Sequence, residues 1–135
     1  MTKHTSIVNG GPLLVSDGAV AIDPARDGSS PEPIAGAAKA EFFWRWYERR
    51  NPRTAAGVLP DGRLVLPRSD GRAPGWSAGL TIGETADVMA ALGARSAINL
   101  DGGGSSTVVT DGQVINHPSD IAGERPAGDA IVLVP

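Results

Sequence analysis

The stretch Ala97-Ile98-Asn99-Leu100-Asp101-Gly102-Gly103-Gly104-Ser105-Ser106-Thr107 is an apolar run that stops at a carboxylate, three glycines and three hydroxyls. Its first four residues predict a strand, and Val108-Val109 beyond it predict a return to extended structure. Three adjacent glycines give up backbone order for close approach and positive φ, more than a simple turn requires. Without Cβ atoms, the amides of Gly102 to Ser105 can form a concave nest for an anion, with the Asp101 carboxylate beside it. On the residues alone the alternative is a glycine-rich hairpin whose Asp and Ser bond only their own backbone.

Outward from this stretch the same punctuation recurs. Asp17-Gly18, Asp61-Gly62 and Asp111-Gly112 each separate two apolar runs, the strongest short signal for a hairpin. Three hairpins predict an antiparallel sheet, and Ala130 to Val134 predicts a last strand. Ala37 to Arg50 predicts a helix: Phe42/Trp46, Phe43/Tyr47 and Glu41/Arg45 are i,i+4 pairs, and Asn51-Pro52 ends it. All the aromatics except Trp76 lie in that segment, which predicts a core or partner-facing helix rather than a sugar-stacking platform. Thr81-Ile82-Gly83-Glu84 predicts a second helix opened by a capping box, with Ile82, Ala86, Met89 and Ala90 on its apolar face and Gly93 at its end. The fold class expected is α+β, a largely antiparallel sheet built from hairpins with two helices.

A chain of 135 residues, 41% hydrophobic, fits one domain with a real core. No apolar run approaches the length needed to span a bilayer. The net charge of −3 gives no whole-chain electrostatic case for nucleic acid, so cationic chemistry must come from particular arginines. The absence of cysteine removes disulfides and thiolate metal sites. Met1 to Thr5 lacks the apolar core of a signal peptide, so the chain is expected either in the cytoplasm or as part of a longer exported protein.

Chemistry-bearing residues fall beside the strand ends: Arg53, Asp70 and Arg72, Glu124 and Arg125, and Asn116, His117, Ser119 and Asp120. A guanidinium is the natural partner of a phosphate, so arginines converging on a glycine nest would make an anion site. Glu84 has structural work in the capping box. His117 has no second histidine or acid at metal-ligand spacing, so no metal site is expected. The P-loop lysine, the G-x-S-x-G elbow and the EF-hand spacing are absent.

In order, N-P-R-T-A-A-G-V (51–58), D-G-R-L-V-L (61–66), S-D-G-R (69–72), G-L-T-I-G-E (79–84), the stretch from Leu92 to Thr107, V-I-N-H-P-S-D (114–120) and G-E-R (123–125) resemble the phosphodiester glycosidase family. The resemblance covers most of the chain from Gly10 onward. It implies a hydrolase that cleaves a sugar from a sugar-1-phosphodiester, on a small-molecule or polysaccharide substrate and without a cofactor. It also implies that residues 1–135 correspond to the C-terminal portion of the full family domain, with an N-terminal half missing; a homo-oligomer is the other partner expected. Position by position it points to Asp101, with Asp70 second, as catalytic carboxylates. Arg53, Arg72, Asn99, Gly102, Gly103, Gly104, Ser105, Ser106, Asn116 and Arg125 are the expected substrate-binding residues. The aromatic helix looks like an insertion.

The chemistry is consistent with that set. Glycosidic cleavage passes through an oxocarbenium-like state usually assisted by an acid and a second carboxylate. A phosphate ester leaves as a stable anion, so cations can stand in for the acid. The competing expectations are a non-catalytic sugar-phosphate or polysaccharide-binding module and an interaction protein that uses its aromatic helix.

Overall fold

In the first and third Asp-Gly pairs both residues take positive φ, 49° and 80° at Asp17 and Gly18 and 52° and 74° at Asp111 and Gly112. That backbone matches the right-handed twist of flanking strands. The pairs join β1 (Leu13–Ser16) to β2 (Ala19–Val20) and β7 (Val109–Thr110) to β8 (Gln113–Val114). Asp61-Gly62 lies in a longer loop between β3 (Arg53–Val58) and β4 (Leu64–Val65). The fold is known from a computed structural model that describes residues 7–27, 41–128 and 130–133.

The main sheet runs β2-β1-β6-β3-β4, with β6 at Ser96–Asn99, and β5 (Arg68–Ser69) pairs with β3. Every pairing is antiparallel. The third hairpin stands apart as a two-stranded ribbon. In β3, Arg53, Ala55 and Gly57 alternate inward. That face is covered by α1 (Ile82–Ala91), which buries Ile82, Ala86 and Met89 against Leu14, Val15, Ala55 and Ala97. Each fully buried side chain of Leu, Ile or Met size contributes about 1.5–3 kcal/mol relative to exposure. The helix lies so close that a Cβ on Gly57 would come 2.5 Å from Met89 Cε.

The capping box forms as its sequence predicts. Glu84 N–H donates to Thr81 Oγ1 at 3.0 Å, and Thr81 N–H donates to Glu84 Oε2 at 2.9 Å. Gly93 ends the helix at φ 81°, with Ala94 N–H closing back on the Met89 carbonyl at 3.1 Å. The Arg50 guanidinium also bonds the Glu84 carboxylate. That bond, followed by the Thr81 amide, holds Glu84 down at about 2.

Two expectations are corrected. The predicted helix over Ala37 to Arg50 is helical from Glu41 and closes with a π-helical turn at Trp44–Glu48, where Arg49 N–H reaches the Trp44 carbonyl at 2.9 Å. Arg49 is already extended, because Asn51 and Arg53 take over the free carbonyls of this end; residues 37–40 lie outside the described residues. Glu41 and Arg45 pair at 2.7 Å, and the Phe43 and Tyr47 rings stack at 5.0 Å. The predicted last strand is not formed over residues 130–133, where Val132 and Leu133 are exposed and no described strand lies alongside; Val134 lies outside the described residues.

A lowered carboxylate pKa is stability that exists above the ordinary value and disappears below it. Glu84→Gln is therefore expected to lose stability against the parent at neutral pH. The gap should close as pH falls from 4.5 towards about 2. Urea unfolding at stepped pH measures it, and a gap that stays constant down to pH 2 contradicts the Arg50–Glu84 assignment.

Candidate active site

Strand β6 delivers the glycine stretch onto the start of β3. Ala55 pairs with Asn99, Leu100 N–H donates to the Thr54 carbonyl at 2.9 Å, and Gly103 N–H donates to the Pro52 carbonyl at 3.0 Å. The glycines then form a single 3-10 turn, Gly103–Ser105. Gly102 and Gly104 lie where a Cβ would clash, and Gly103 where it would be tight on a left-handed backbone. A Cβ on Gly102 would meet the Pro52 carbonyl at 2.8 Å, one on Gly103 (φ 63°) would meet Arg72 Nη1 at 3.3 Å, and one on Gly104 would overlap the Asp120 carboxylate.

The amide nest expected over Gly102 to Ser105 is corrected by this geometry. Gly102 N–H donates to Asp101 Oδ1 at 2.8 Å, Gly103 N–H to Pro52, and Ser105 N–H to the Gly102 carbonyl at 3.3 Å. With three amides committed internally, the groups at the turn that could hold an anion are chiefly guanidinium groups. Arg72 lies against Gly103, and Arg125 donates to Ser105 Oγ at 2.6 Å while lying 3.7 Å from Asp120 Oδ2. Asp101 is exposed at the mouth of the turn.

Arg72, Gly102, Gly103, Gly104, Ser105 and Arg125 are thus gathered around one turn that Asp101 opens. The other predicted residues support that turn. Asn99 is fully buried and donates to the Gly11 and Leu100 carbonyls at 2.9 and 2.7 Å. Ser106, also buried, accepts from Thr54 Oγ1 at 3.1 Å. Asn116 fastens the ribbon to the turn, accepting from Val108 N–H at 2.7 Å and donating to the Ser106 carbonyl at 2.9 Å. Asp70 accepts from Arg68, from Trp76 Nε1 at 2.9 Å and from His117 N–H at 3.0 Å, so both its oxygens hold loops in place.

Arg53 is only 1% exposed. Its Nε donates to the Leu80 carbonyl at 2.9 Å, and its Nη2 donates to Trp46 and Arg49 carbonyls at 2.5 and 3.1 Å. The guanidinium lies 5.0 Å from the Trp46 ring centre. Burial, followed by the neighbouring Arg72 charge, pushes it down to about 10, so it is still a cation at neutral pH.

Sequence reasoning missed the residue that aims Arg72. Asn51, read only as the end of a helix, is 2% exposed. Its Nδ2 holds the Arg45 and Arg49 carbonyls at 2.7 and 2.9 Å, while its Oδ1 accepts from Arg72 Nε at 2.9 Å. This bond steadies Arg72 in a left-handed conformation, φ 53°, that a non-glycine residue seldom adopts. Beside it opens a cleft of about 910 Å³ lined by Arg45, Arg49, Arg50, Asn51, Arg72 and the Ala73–Ala78 loop. The only sequence signal for the cleft was the run of arginines around the helix end, which also fits a solvated surface.

Residues 2–134 match the family described as phosphodiester glycosidase, and the chain belongs to that family. Over 114 residues it is 31% identical to the Bos taurus N-acetylglucosamine-1-phosphodiester alpha-N-acetylglucosaminidase, covering 84% of this chain and 20% of that protein. A putative exported protein from Burkholderia pseudomallei K96243 superposes with a TM-score of 0.77 at 48% identity, over 87% of this chain and 23% of that one. The zebrafish N-acetylglucosamine-1-phosphodiester alpha-N-acetylglucosaminidase catalytic domain, auto-inhibited by its pro-peptide, gives 0.66 at 26% identity, over 88% and 36%. The chain therefore spans a fifth of the bovine relative's length.

Two substitutions check this geometry. Arg53→Lys should lose at least about 2 kcal/mol in urea unfolding, because one ammonium cannot reach carbonyls lying in separate directions; parental stability would contradict the bonding described. Gly104→Ala should cost about 1–3 kcal/mol by overpacking. Most of that cost should vanish in an Asp120→Ala background, and additive effects in this double-mutant cycle would separate the two residues.

Proposed function

We propose that this chain, a member of the phosphodiester glycosidase family, carries the part of a glycosidase site where the sugar–phosphate bond of a sugar-1-phosphodiester is broken. The observation that carries the reading is Arg72: a guanidinium in a strained backbone conformation, aimed by a buried asparagine onto Gly103, in the turn that Asp101 opens. Strain held by surrounding bonds is characteristic of sites that position a functional group.

In this reading Arg72 and Arg125 take the phosphate oxygens. Their charge favours the departing phosphate monoester more as negative charge builds on it, which replaces a general acid. Asp101 faces the anomeric carbon with the carboxylate oxygen that the Gly102 amide does not hold. There it stabilises the developing oxocarbenium or takes the proton of the attacking water. Water oxygen bonds to the anomeric carbon, the carbon–oxygen bond to phosphate breaks, and the products are free sugar and a phosphate monoester. Asp70, first expected as a second catalytic carboxylate, fits a positioning role better, because both its oxygens already accept hydrogen bonds.

Incubating the purified chain with an N-acetylhexosamine-1-phosphodiester and measuring free sugar tests the proposal. Asp101→Asn should reduce release by about a hundredfold or more. Arg72→Lys should lower kcat/KM as well, since an ammonium lacks the planar fork. Release that is unchanged in Asp101→Asn would overturn the catalytic assignment, and binding without release by the parent chain would favour a non-catalytic sugar-phosphate module.

A further inference from the structure

We propose that the arginine cleft beside the turn is an extended subsite for further phosphates, so that the preferred substrate is a glycan whose sugars are joined by successive phosphodiesters, with Trp76 stacking against one of those sugars. This deepens the function proposed above and rests on it.

The charge count is the first support. Among the described residues four guanidinium groups line the cleft and no carboxylate does, in a chain whose net charge is −3. Two of the four have partners outside the lining, Arg45 on Glu41 and Arg50 on Glu84. Among the described residues no carboxylate pairs with Arg49 or Arg72. A phosphodiester linkage carries a single negative charge, which Arg72 and Arg125 at the turn already answer. Arg49 therefore leaves the cleft with at least one cation more than a single linkage can use. Arg45 adds to this, because its ion pair with Glu41 is more than half exposed on both sides and holds the side chain weakly.

The second support is rigidity. Arg45 lies in the aromatic turn and Arg49 at its end, and their carbonyls are held by Asn51 Nδ2. The other end of the same Asn51 side chain holds Arg72. One buried side chain thus fixes the backbone of the outer arginines relative to the inner guanidinium, as a run of regularly spaced phosphates requires. The cleft, at about 910 Å³, lies near the upper end of the range for small-molecule sites.

Trp76 supplies the third support. It lines the cleft, is 71% exposed, and is oriented rather than free: its indole N–H is bonded to Asp70 and its ring lies tilted against His117. An indole with its N–H occupied and its face open offers a flat apolar surface, which matches the C–H face of a sugar ring. Aromatic surface interleaved with guanidinium groups also suits single-stranded nucleic acid. The adjoining turn, with its exposed Asp101, favours the glycan.

The test uses full-length chain carrying Asp101→Asn, titrated calorimetrically with phosphodiester-linked hexosamine oligomers of one, two, three and four repeats. Affinity should rise about tenfold or more between one and three repeats, and its salt dependence should steepen with length. Arg49→Gln and Trp76→Ala should each flatten that rise. Equal affinity for one and four repeats would overturn the proposal, as would a uridine oligonucleotide of matched charge binding as tightly as the glycan. Sugar release from the single-unit substrate is read separately on the unsubstituted chain. A length dependence without release would remove the catalytic reading and leave the extended subsite, whereas release without length dependence would do the reverse.

Discussion

The buried guanidinium of Arg53 is the contact on which the rest of this molecule depends. A helical turn that ends against a sheet leaves carbonyls without partners, and in a dry environment each costs about 1–3 kcal/mol. Arg53 rises from the first position of β3 and answers two of them, those of Trp46 and Arg49, together with the carbonyl of Leu80 just before the long helix. One side chain therefore joins the aromatic turn, the central strand and the entry to α1. Its charge is tolerated because the carbonyl dipoles of a helix C-terminus favour a cation and Trp46 offers its ring face. With this junction fixed, Asn51 and Pro52 have defined positions, and both matter for what is built on them.

Pro52 receives the glycine turn and Asn51 aims Arg72. The site is thereby assembled from β6, which brings Asp101, and from the loop after β5, which brings Arg72. The three glycines permit this by close approach more than by exposing amides: the Pro52 carbonyl and the Asp120 carboxylate occupy the places where side chains on Gly102 and Gly104 would be, and the Arg72 guanidinium crowds Gly103. Burying positive charge near Arg53 raises the cost of a second guanidinium at Arg72. In the proposed site an anion held by Arg72 would lower that cost, so its binding and local stability would be linked in sign.

Much of this was legible in the sequence, for identifiable reasons. The hairpins, the capping box at Thr81 and the strand leading into Asp101 depend on neighbours within four residues, where spacing carries the physics. The family resemblance pointed to residues that the structure brings together at one turn. What could not be read is how each polar group is engaged. Whether the Gly103 amide is free depends on Pro52, far away in the chain. Whether Arg53 faces a ligand or a carbonyl depends on where the aromatic turn stops, and that turn ends in a π-turn that periodicity does not announce. Asp70 has the same ambiguity: a carboxylate in a loop reads as catalytic until its three donors are seen. The run at Ala130 to Val134 has strand-like residues, but a strand also needs a neighbour, which composition does not supply.

Asp70 shows how a supporting group can shape recognition. Its carboxylate bonds Arg68 beneath it, and through Trp76 Nε1 and the His117 amide it fixes two loops that approach from separate parts of the chain. A tryptophan this exposed would ordinarily turn between rotamers and lose that freedom on binding, at about 0.5–1.5 kcal/mol for an immobilised side chain. Held by Asp70, the indole would meet the proposed glycan already oriented, so that loss would fall on folding rather than on binding. The same logic applies to Arg72, oriented by Asn51 for the phosphate of the proposed substrate. The polar residues buried under this surface thus do their work by deciding in advance where an aromatic face and a cation will be.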